Sequence, residues 1–592
     1  MMTAQSKQSV LFGLLISCTL IMSTFYSQVS PGGEGLLIPY NSWTWICAIV
    51  VICSGIFQII IKDTIVLPKY WLYIAALPLG IIISGFIIDS TKPVEWLIKI
   101  GFVVGGYLFL IALFQFKLSR QTINNILYGI CLSAIFHSFI TYTQVMGWQI
   151  SNLIPNSAKN SPISFFQQIN INATYLTTSF FIALYLASCD VFSRKSIFLK
   201  ILLVVTIFAT TAILLSISSR TTLVAFAVSM PLIIYARYKQ FKLNRNLSMT
   251  LIVAFILGIC AGANLSKGFA KYETKLDTQR QHARTYIYDL SWQIFKEKPL
   301  LGHGLGSFEQ VFQEAKIDYP HSDKLGGQRF SHPHNELLIW LIEAGAISLI
   351  GIIIAVIATL LALFSLGIKH GLTYLALLFP ISFHTQVELP FYLSSALWFV
   401  WISILFLIHS HQTIEKKTKL SQALKNLISV STVFISALLI AFLIHTLASL
   451  AGITRIMFYK NVPLSSLTTA KHNMYFQSLA LQLELTGFLY HDIATGRTIA
   501  TQQFIQWASP YVINNPEPSL INNLALAYVY LEDRDKALAL MTKAHKMYPN
   551  TVSIQERYLE IKNNVPISEF KQQIKIFSER NQSQATPTDT NK

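Results

Sequence analysis

The chain runs to 592 residues, of which 53% are hydrophobic and only 12% charged, with a formal net charge of +17. Water-soluble domains carry about 25% charged residues, so this composition excludes an ordinary soluble enzyme and assigns most of the chain to a bilayer. The excess of Lys and Arg fits membrane orientation and anionic headgroups, and no aromatic-interleaved basic patch points to nucleic acid.

In chain order, windows of about 20 apolar residues, the length that crosses a bilayer core as a helix, fall near 9–28, 42–61, 70–88, 96–116, 123–146, 170–189, 197–217, 220–237, 248–266, 337–364, 371–388, 391–411 and 427–450. The first is preceded by Lys7 alone and followed by no clear small-residue cleavage site, so it reads as a retained helix and not a removed signal peptide. Basic residues are held back on the cytoplasmic side. One set of alternate loops contains Lys62, Lys69, Lys117, Arg120, Arg194, Lys195, Lys200, Arg237, Lys239, Lys242, Arg245, Lys369, Lys416, Lys417, Lys419 and Lys425, whereas the short loops of the other set hold only Lys92, Lys159 and Arg220. The amino terminus is therefore expected in the cytoplasm and the carboxyl terminus outside. All six cysteines fall in these segments, so they read as small buried apolar residues, and no CxxC spacing suggests a metal.

Between two apolar segments, "SISSRTTLVAF" places Arg220 at the outer membrane edge. A guanidinium there either snorkels to the headgroups or clamps an anion, because its planar fork matches phosphate oxygens. The same alternation exports the loop of about 267–336. It opens on an amphipathic helical pattern with Arg280, Arg284 and Trp292, breaks at Pro299, and continues into "GHGLGS". Those glycines follow no strand and lack the context of a nucleotide-binding loop, so they read as a tight turn.

The loop closes on "SHPHNELL", His332 and His334 flanking Pro333 just before an apolar run. Three readings stand. Zinc could take His332 and His334 with Glu336, His303 or His321, although neither HExxH nor a cysteine partner is present. Helix entry accounts for Pro333, which stops helix upstream, and for Asn335, which can cap a helix beginning at Glu336. Acid–base chemistry accounts for the histidines, whose ordinary pKa lies near working pH.

After Leu450 the pattern becomes amphipathic without a spanning segment, and about 455–578 reads as an outer helical domain. Within it, Leu524, Ala525, Tyr528, Ala537, Met541, Ala544 and Pro549 have the spacing of one tetratricopeptide helix pair, or of an ordinary helical hairpin. The remainder, 579–592, is polar and is expected to be disordered. The division expected is thus 1–266 membrane helices, 267–336 catalytic loop, 337–450 membrane helices, 455–578 outer domain and 579–592 tail, an all-α polytopic membrane protein.

"HNELLIWLIEAGAISLIG", with His334, Asn335, Glu343, Gly345 and Gly351, follows the Arg284–Trp292 helix and "PLLGHGLGSF" in one outer loop, with "SSRTT" upstream. This order resembles the O-antigen ligase and polymerase superfamily, whose members move glycans off polyprenyl diphosphate carriers on the periplasmic side of the bacterial inner membrane. The "HPHN" doublet and the exported helical domain are similar to its protein O-oligosaccharyltransferase branch, which glycosylates pilins and other periplasmic proteins. The motifs cover about a fifth of the chain and the topology nearly all of it.

The resemblance implies that Arg220 and Arg284, with Arg280 as a third candidate, clamp the donor diphosphate. It implies that His334 is the general base or orients the acceptor, that His332 tunes or positions it, and that Glu343 orients the site or caps packing between helices. The donor would be a polyprenyl diphosphate-linked oligosaccharide and the acceptor a Ser or Thr hydroxyl of a periplasmic protein such as pilin, with no metal or other cofactor required. An O-antigen ligase or polymerase would use the same chemistry on a lipid A core sugar or on another repeat unit. A transporter would need a midplane site and inverted repeats, which are not apparent, and a tetratricopeptide scaffold needs only one or two spans.

Overall fold

The computed structural model describes residues 4–155, 161–189, 196–217, 219–266, 273–325, 329–566 and 568–569. A helix stands at each of the thirteen apolar segments: α1 (Ala4–Leu20), α2 (Pro39–Lys62), α3 (Trp71–Ile87), α4 (Pro93–Gln115), α5 (Arg120–Val145), α6 (Ile169–Ala187), α7 (Ile197–Ile217), α8 (Arg220–Leu243), α9 (Arg245–Ser266), α12 (Glu336–Ser365), α13 (Ile368–His384), α15 (Ser395–His409) and α16 (Gln422–Phe458). Between them lie α10 (Glu273–Glu297), α11 (Phe308–Ala315) and the short α14 (Pro390–Leu393). After α16 come α17 (Thr468–Lys471), α18 (Gln477–Thr495), α19 (Ile499–Asn514), α20 (Pro518–Tyr530), α21 (Arg534–Met547) and α22 (Val552–Lys562). The protein is an all-α, multi-pass membrane protein. One antiparallel strand pair, β1 (Thr64–Pro68) with β2 (Thr413–Lys417), ties two loops together at one end of the bundle.

Of the thirteen, ten are long and apolar enough to cross a bilayer, while α3, α13 and α15 have 17, 17 and 15 residues. The shortfall has local causes. The window expected at 391–411 is broken at Ser394, which leaves the helical region and caps α15 by accepting from the Leu397 N–H at 3.2 Å. The window expected at 371–388 ends at His384, and Thr385–Leu389 turn instead of continuing. α3 makes up for its length by close packing against α12. A Cβ on Gly351 would overlap the Ala76 carbonyl, and one on Gly80 the Ile347 carbonyl, so small residues let the two backbones touch.

α12 is kinked at Gly345, which has φ +66°, a conformation that costs L side chains dearly and glycine little. The freed backbone groups are taken up by the "PLLGHGLGS" turn. His303 N–H donates to Ile342 O at 2.8 Å, Gly304 N–H to Glu343 O at 3.0 Å, and Ala346 N–H to Pro299 O at 2.8 Å. The glycine run is the tight turn its sequence suggests, and its task is to seat the loop on this kink.

α18 to α22 share a core of Leu489, Phe504, Leu524, Met541 and Ile554, against which Ile317 of the loop also packs. Ala525, Ala537 and Ala544 are buried between α20 and α21, where their small side chains admit the close approach of a helix hairpin. The unit rests on the loop through Lys543 to Glu314 at 3.8 Å, Arg329 to Glu517 at 3.3 Å, and Asn550 Nδ2 donating to Asp323 O at 3.0 Å. The tail expected at 579–592 lies outside the described residues.

Candidate active site

Asn335 caps α12. Its Oδ1 accepts from the N–H groups of Leu337 and Leu338 at 2.8 and 3.1 Å, satisfying two donors that a helix start leaves orphaned. Its Nδ2 donates to Gln386 O at 2.9 Å, and Glu336 N–H donates to Thr385 O at 2.8 Å. The helix entry is thus stitched to the turn between α13 and α14, which carries Glu388.

Glu388 meets two of the residues singled out in the sequence. Its Oε2 lies 2.8 Å from His334 Nδ1, and its Oε1 accepts from Arg284 Nη2 at 3.1 Å. The carboxylate is only 9% exposed, whereas His334 is 30% and Arg284 39% exposed, so a buried anion holds two groups that face outward. Burial alone would raise the pKa of Glu388. The hydrogen bond from His334, the charges of His334 and His332 when those rings are protonated, and the charge of Arg284 outweigh it and hold the carboxyl below its ordinary range. An ionised carboxylate only accepts, so His334 Nδ1 carries the proton, and in the neutral ring Nε2 is then an acceptor.

His334 itself has φ +54°, an expensive conformation for a non-glycine residue, of order 1–2 kcal/mol. It is held by Tyr288, whose hydroxyl donates to His334 O at 3.2 Å, and by its own N–H, which reaches His332 Nδ1 at 3.3 Å. Such strain persists where surrounding bonds over-determine it, commonly at functional sites. The ring of His332 stands edge-on to that of His334 with centroids 4.5 Å apart, and its Nε2 faces Glu34 at 3.8 Å. Burial pushes the His332 pKa below its ordinary value, which keeps that ring neutral near pH 7. Among the described residues no group of three or more His, Cys, Asp or Glu side chains is placed to hold a metal ion.

Arg284, His332, His334 and Asn335 are therefore brought together, on α10 and at the start of α12. Arg220 opens α8 and is exposed at the same end of the bundle. Thr222, two residues on, lies 3.5 Å from Thr177 of α6, one turn from Thr174, which shares a 2.7 Å hydrogen bond with buried His384. The side chain of Arg280 lies outside the described residues. Trp292 is half exposed on α10 beside Phe295.

Glu343 lies apart from this group. It is buried, paired with Lys99 of α4, and its Oε1 accepts from Phe308 N–H at 3.3 Å. Of the two roles expected for it, this geometry is that of packing between helices. His303 is likewise occupied, its Nε2 sharing a 3.0 Å hydrogen bond with Ile294 O.

The sequence reading missed Glu388, Tyr288 and Lys99. Glu388 carried a signal, as the only carboxylate between Glu343 and Glu415, at the edge of an apolar segment, and isolated charges in such places seldom lack a partner. Lys99 carried the same signal inside a spanning window.

A family described as O-antigen ligase matches residues 202–353, and one described as virulence factor membrane-bound polymerase, C-terminal, matches residues 372–558. Together they support the O-antigen ligase/polymerase superfamily, and with it a membrane glycan-transferring activity of ligase or polymerase type. The first match includes Arg220, Arg284, His332 and His334, and the second includes Glu388 and most of α18 to α22. No curated protein matches the chain.

Proposed function

We propose that this protein transfers a preassembled oligosaccharide from a polyprenyl diphosphate carrier to Ser or Thr hydroxyls of periplasmic proteins such as pilin. The observation that carries the chemistry is Glu388, buried and ionised, bound on one side to His334 Nδ1 and on the other to Arg284. His334 Nε2 accepts the proton of the acceptor hydroxyl as its oxygen attacks the anomeric carbon. The bond from that carbon to the diphosphate oxygen breaks, and the polyprenyl diphosphate leaves. Arg284 and Arg220 meet the developing charge on the diphosphate, the kind of preorganised stabilisation that dominates such steps. Glu388 fixes the tautomer and favours the imidazolium, as the carboxylate of a hydrolytic triad does. His332, kept neutral, packs beside the ring and orients it.

This reading puts the His334 end of the bundle in the periplasm and the basic loops in the cytoplasm, and α18 to α22 then face the acceptor. A second reading, polymerisation of repeat units, is favoured by one observation: the polymerase-type match at residues 372–558 extends over α18 to α21 and into α22, so that unit is no mark of a protein acceptor.

The test is a bacterium without its own O-antigen ligase, given one lipid-linked oligosaccharide and a tagged pilin. The expected result is a glycan mass on the pilin, absent with His334→Ala. Glycan on lipid A core, or lengthened polymer with unmodified pilin, would overturn the protein acceptor and keep the chemistry.

A further inference from the structure

α4 and α15 both start at the His334 end of the bundle and run away from it, so Lys117 after α4, Arg120 at the start of α5 and His411 after α15 lie at the opposite end. There they line a cavity of about 480 Å³ together with Asn124, Tyr185 and Tyr374. The polar lining is partly committed and partly open. Lys117 pairs with Glu415 at 3.0 Å, and Tyr374 OH shares a 3.1 Å hydrogen bond with His411 Nε2. Arg120 is exposed and has no carboxylate partner among the described residues.

The cavity also has an apolar floor. Leu113, Leu118, Ile123, Phe406 and Leu407 line both it and an adjoining slit of about 30 Å³, which is walled, Ser403 apart, by aliphatic and aromatic side chains of α1, α4, α5, α6 and α15 and of the loop between α4 and α5. A polar, cationic mouth that narrows into hydrocarbon between membrane helices matches an amphiphile better than a free ion. The charged group meets Arg120 and the hydroxyls and amide around it, and the first methylenes of a chain enter the slit.

We propose that this cavity is a binding site for the phosphate headgroup of an anionic membrane lipid, on the membrane face opposite His334. A basic pocket between membrane helices attracts such headgroups, each Lys or Arg near the surface contributing about 1 kcal/mol. The donor-transfer site already holds its own arginines at the other end, so the two sites do not share a residue.

The test is native mass spectrometry of the purified full chain, titrated in detergent with phosphatidylglycerol, with zwitterionic phosphatidylcholine, and with inorganic phosphate. One phosphatidylglycerol is expected to stay bound under conditions that strip other lipids, and phosphatidylcholine is not. Arg120→Glu is expected to weaken it by about fivefold or more, and Arg120→Gln to weaken it less. Arg245→Glu, at the same end but outside the cavity, is expected to leave it unchanged. Equal weakening by Arg120→Glu and Arg245→Glu would overturn the site, since the attraction would then be general. Displacement of the lipid by millimolar inorganic phosphate would overturn the lipid as ligand. Arg120 is exposed, so its variants are expected to fold, and an unchanged melting temperature for Arg120→Gln checks this.

Discussion

At the start of α12, His334, Glu388 and Arg284 form a group with one side open to solvent; about two and a half turns along the same helix, Glu343 and Lys99 form a pair that is almost entirely enclosed. Both groups join distant parts of the chain, and both put charge at the edge of a membrane protein. They differ in what is left over. Both oxygens of Glu343 are taken by protein groups, one by Lys99 and the other by the Phe308 N–H, and the result is a clasp that seats the outer loop on the Gly345 kink. In the His334 group the carboxylate is buried and the ring is 30% exposed, and Nε2, the nitrogen not bound to Glu388, has no hydrogen-bond partner among the described residues. Charge at a membrane edge is thus not a mark of chemistry by itself. In the reaction we propose, the mark is an unspent acceptor beside a buried orienting carboxylate.

This contrast can be broken deliberately. Glu343→Ala leaves Lys99 buried without its counter-charge, which is expected to cost about 3–5 kcal/mol of stability. Turnover per folded molecule should nonetheless stay close to wild type. Replacing both partners with apolar residues, Lys99→Met with Glu343→Leu, is expected to recover most of that loss. Thermal unfolding together with transfer per folded protein reads both effects, and a turnover defect in the double variant would place Glu343 in the chemistry.

Lys316 sharpens the same point on the clasp side. It is fully buried where the loop meets α18 to α22, with its ammonium 5.0 Å from the Tyr548 ring centroid and 5.4 Å from that of Phe330. Burial lowers its pKa from 10.5 to about 7. Between those values the unfolded chain holds a proton that the folded chain does not, so stability is expected to rise with pH across that window. The limiting slope is about 1.4 kcal/mol per pH unit. Melting temperatures taken from about pH 7 to pH 9.5 should climb in the wild type and flatten in Lys316→Met; equal slopes in the two would contradict the assignment. The smallest effect expected is that of Asn335→Ala, a lost cap costing about 1 kcal/mol, and here a modest fall in transfer should accompany it, because Asn335 also holds the turn that carries Glu388.

Much of this architecture was legible in the sequence because hydropathy and capping are local. Apolar windows located all thirteen helices, Pro333 and Asn335 marked where α12 begins, and small residues at Ala525, Ala537 and Ala544 marked the α20–α21 hairpin. Helix ends inside apolar windows were not legible. The polar run His384–Glu388 and Pro390 marked a boundary near 389, but neither the end of α13 at His384 nor the break at Ser394 could be placed from composition, since both are set by packing and by hydrogen bonds to residues far away in the chain. For the same reason Glu388 was invisible as a partner of His334. The two lie 54 residues apart, and their meeting depends on how α13 returns to the start of α12. Glu343, by contrast, stood in the recognisable motif, yet the structure gives it a structural partner that periodicity could not reveal.

The account rests on His334 and Glu388 acting as one unit. The most direct measurement is the single-turnover rate of glycan transfer from a lipid-linked donor by four proteins: wild type, His334→Ala, Glu388→Gln and the double variant. A general base contributes about 10²–10⁴-fold, and that loss is predicted for His334→Ala, with a smaller but measurable loss for Glu388→Gln. Residues that act together are not additive, so the double variant should be no slower than His334→Ala alone. A wild-type rate for Glu388→Gln, or a double variant slowed by the product of the two single losses, would contradict it.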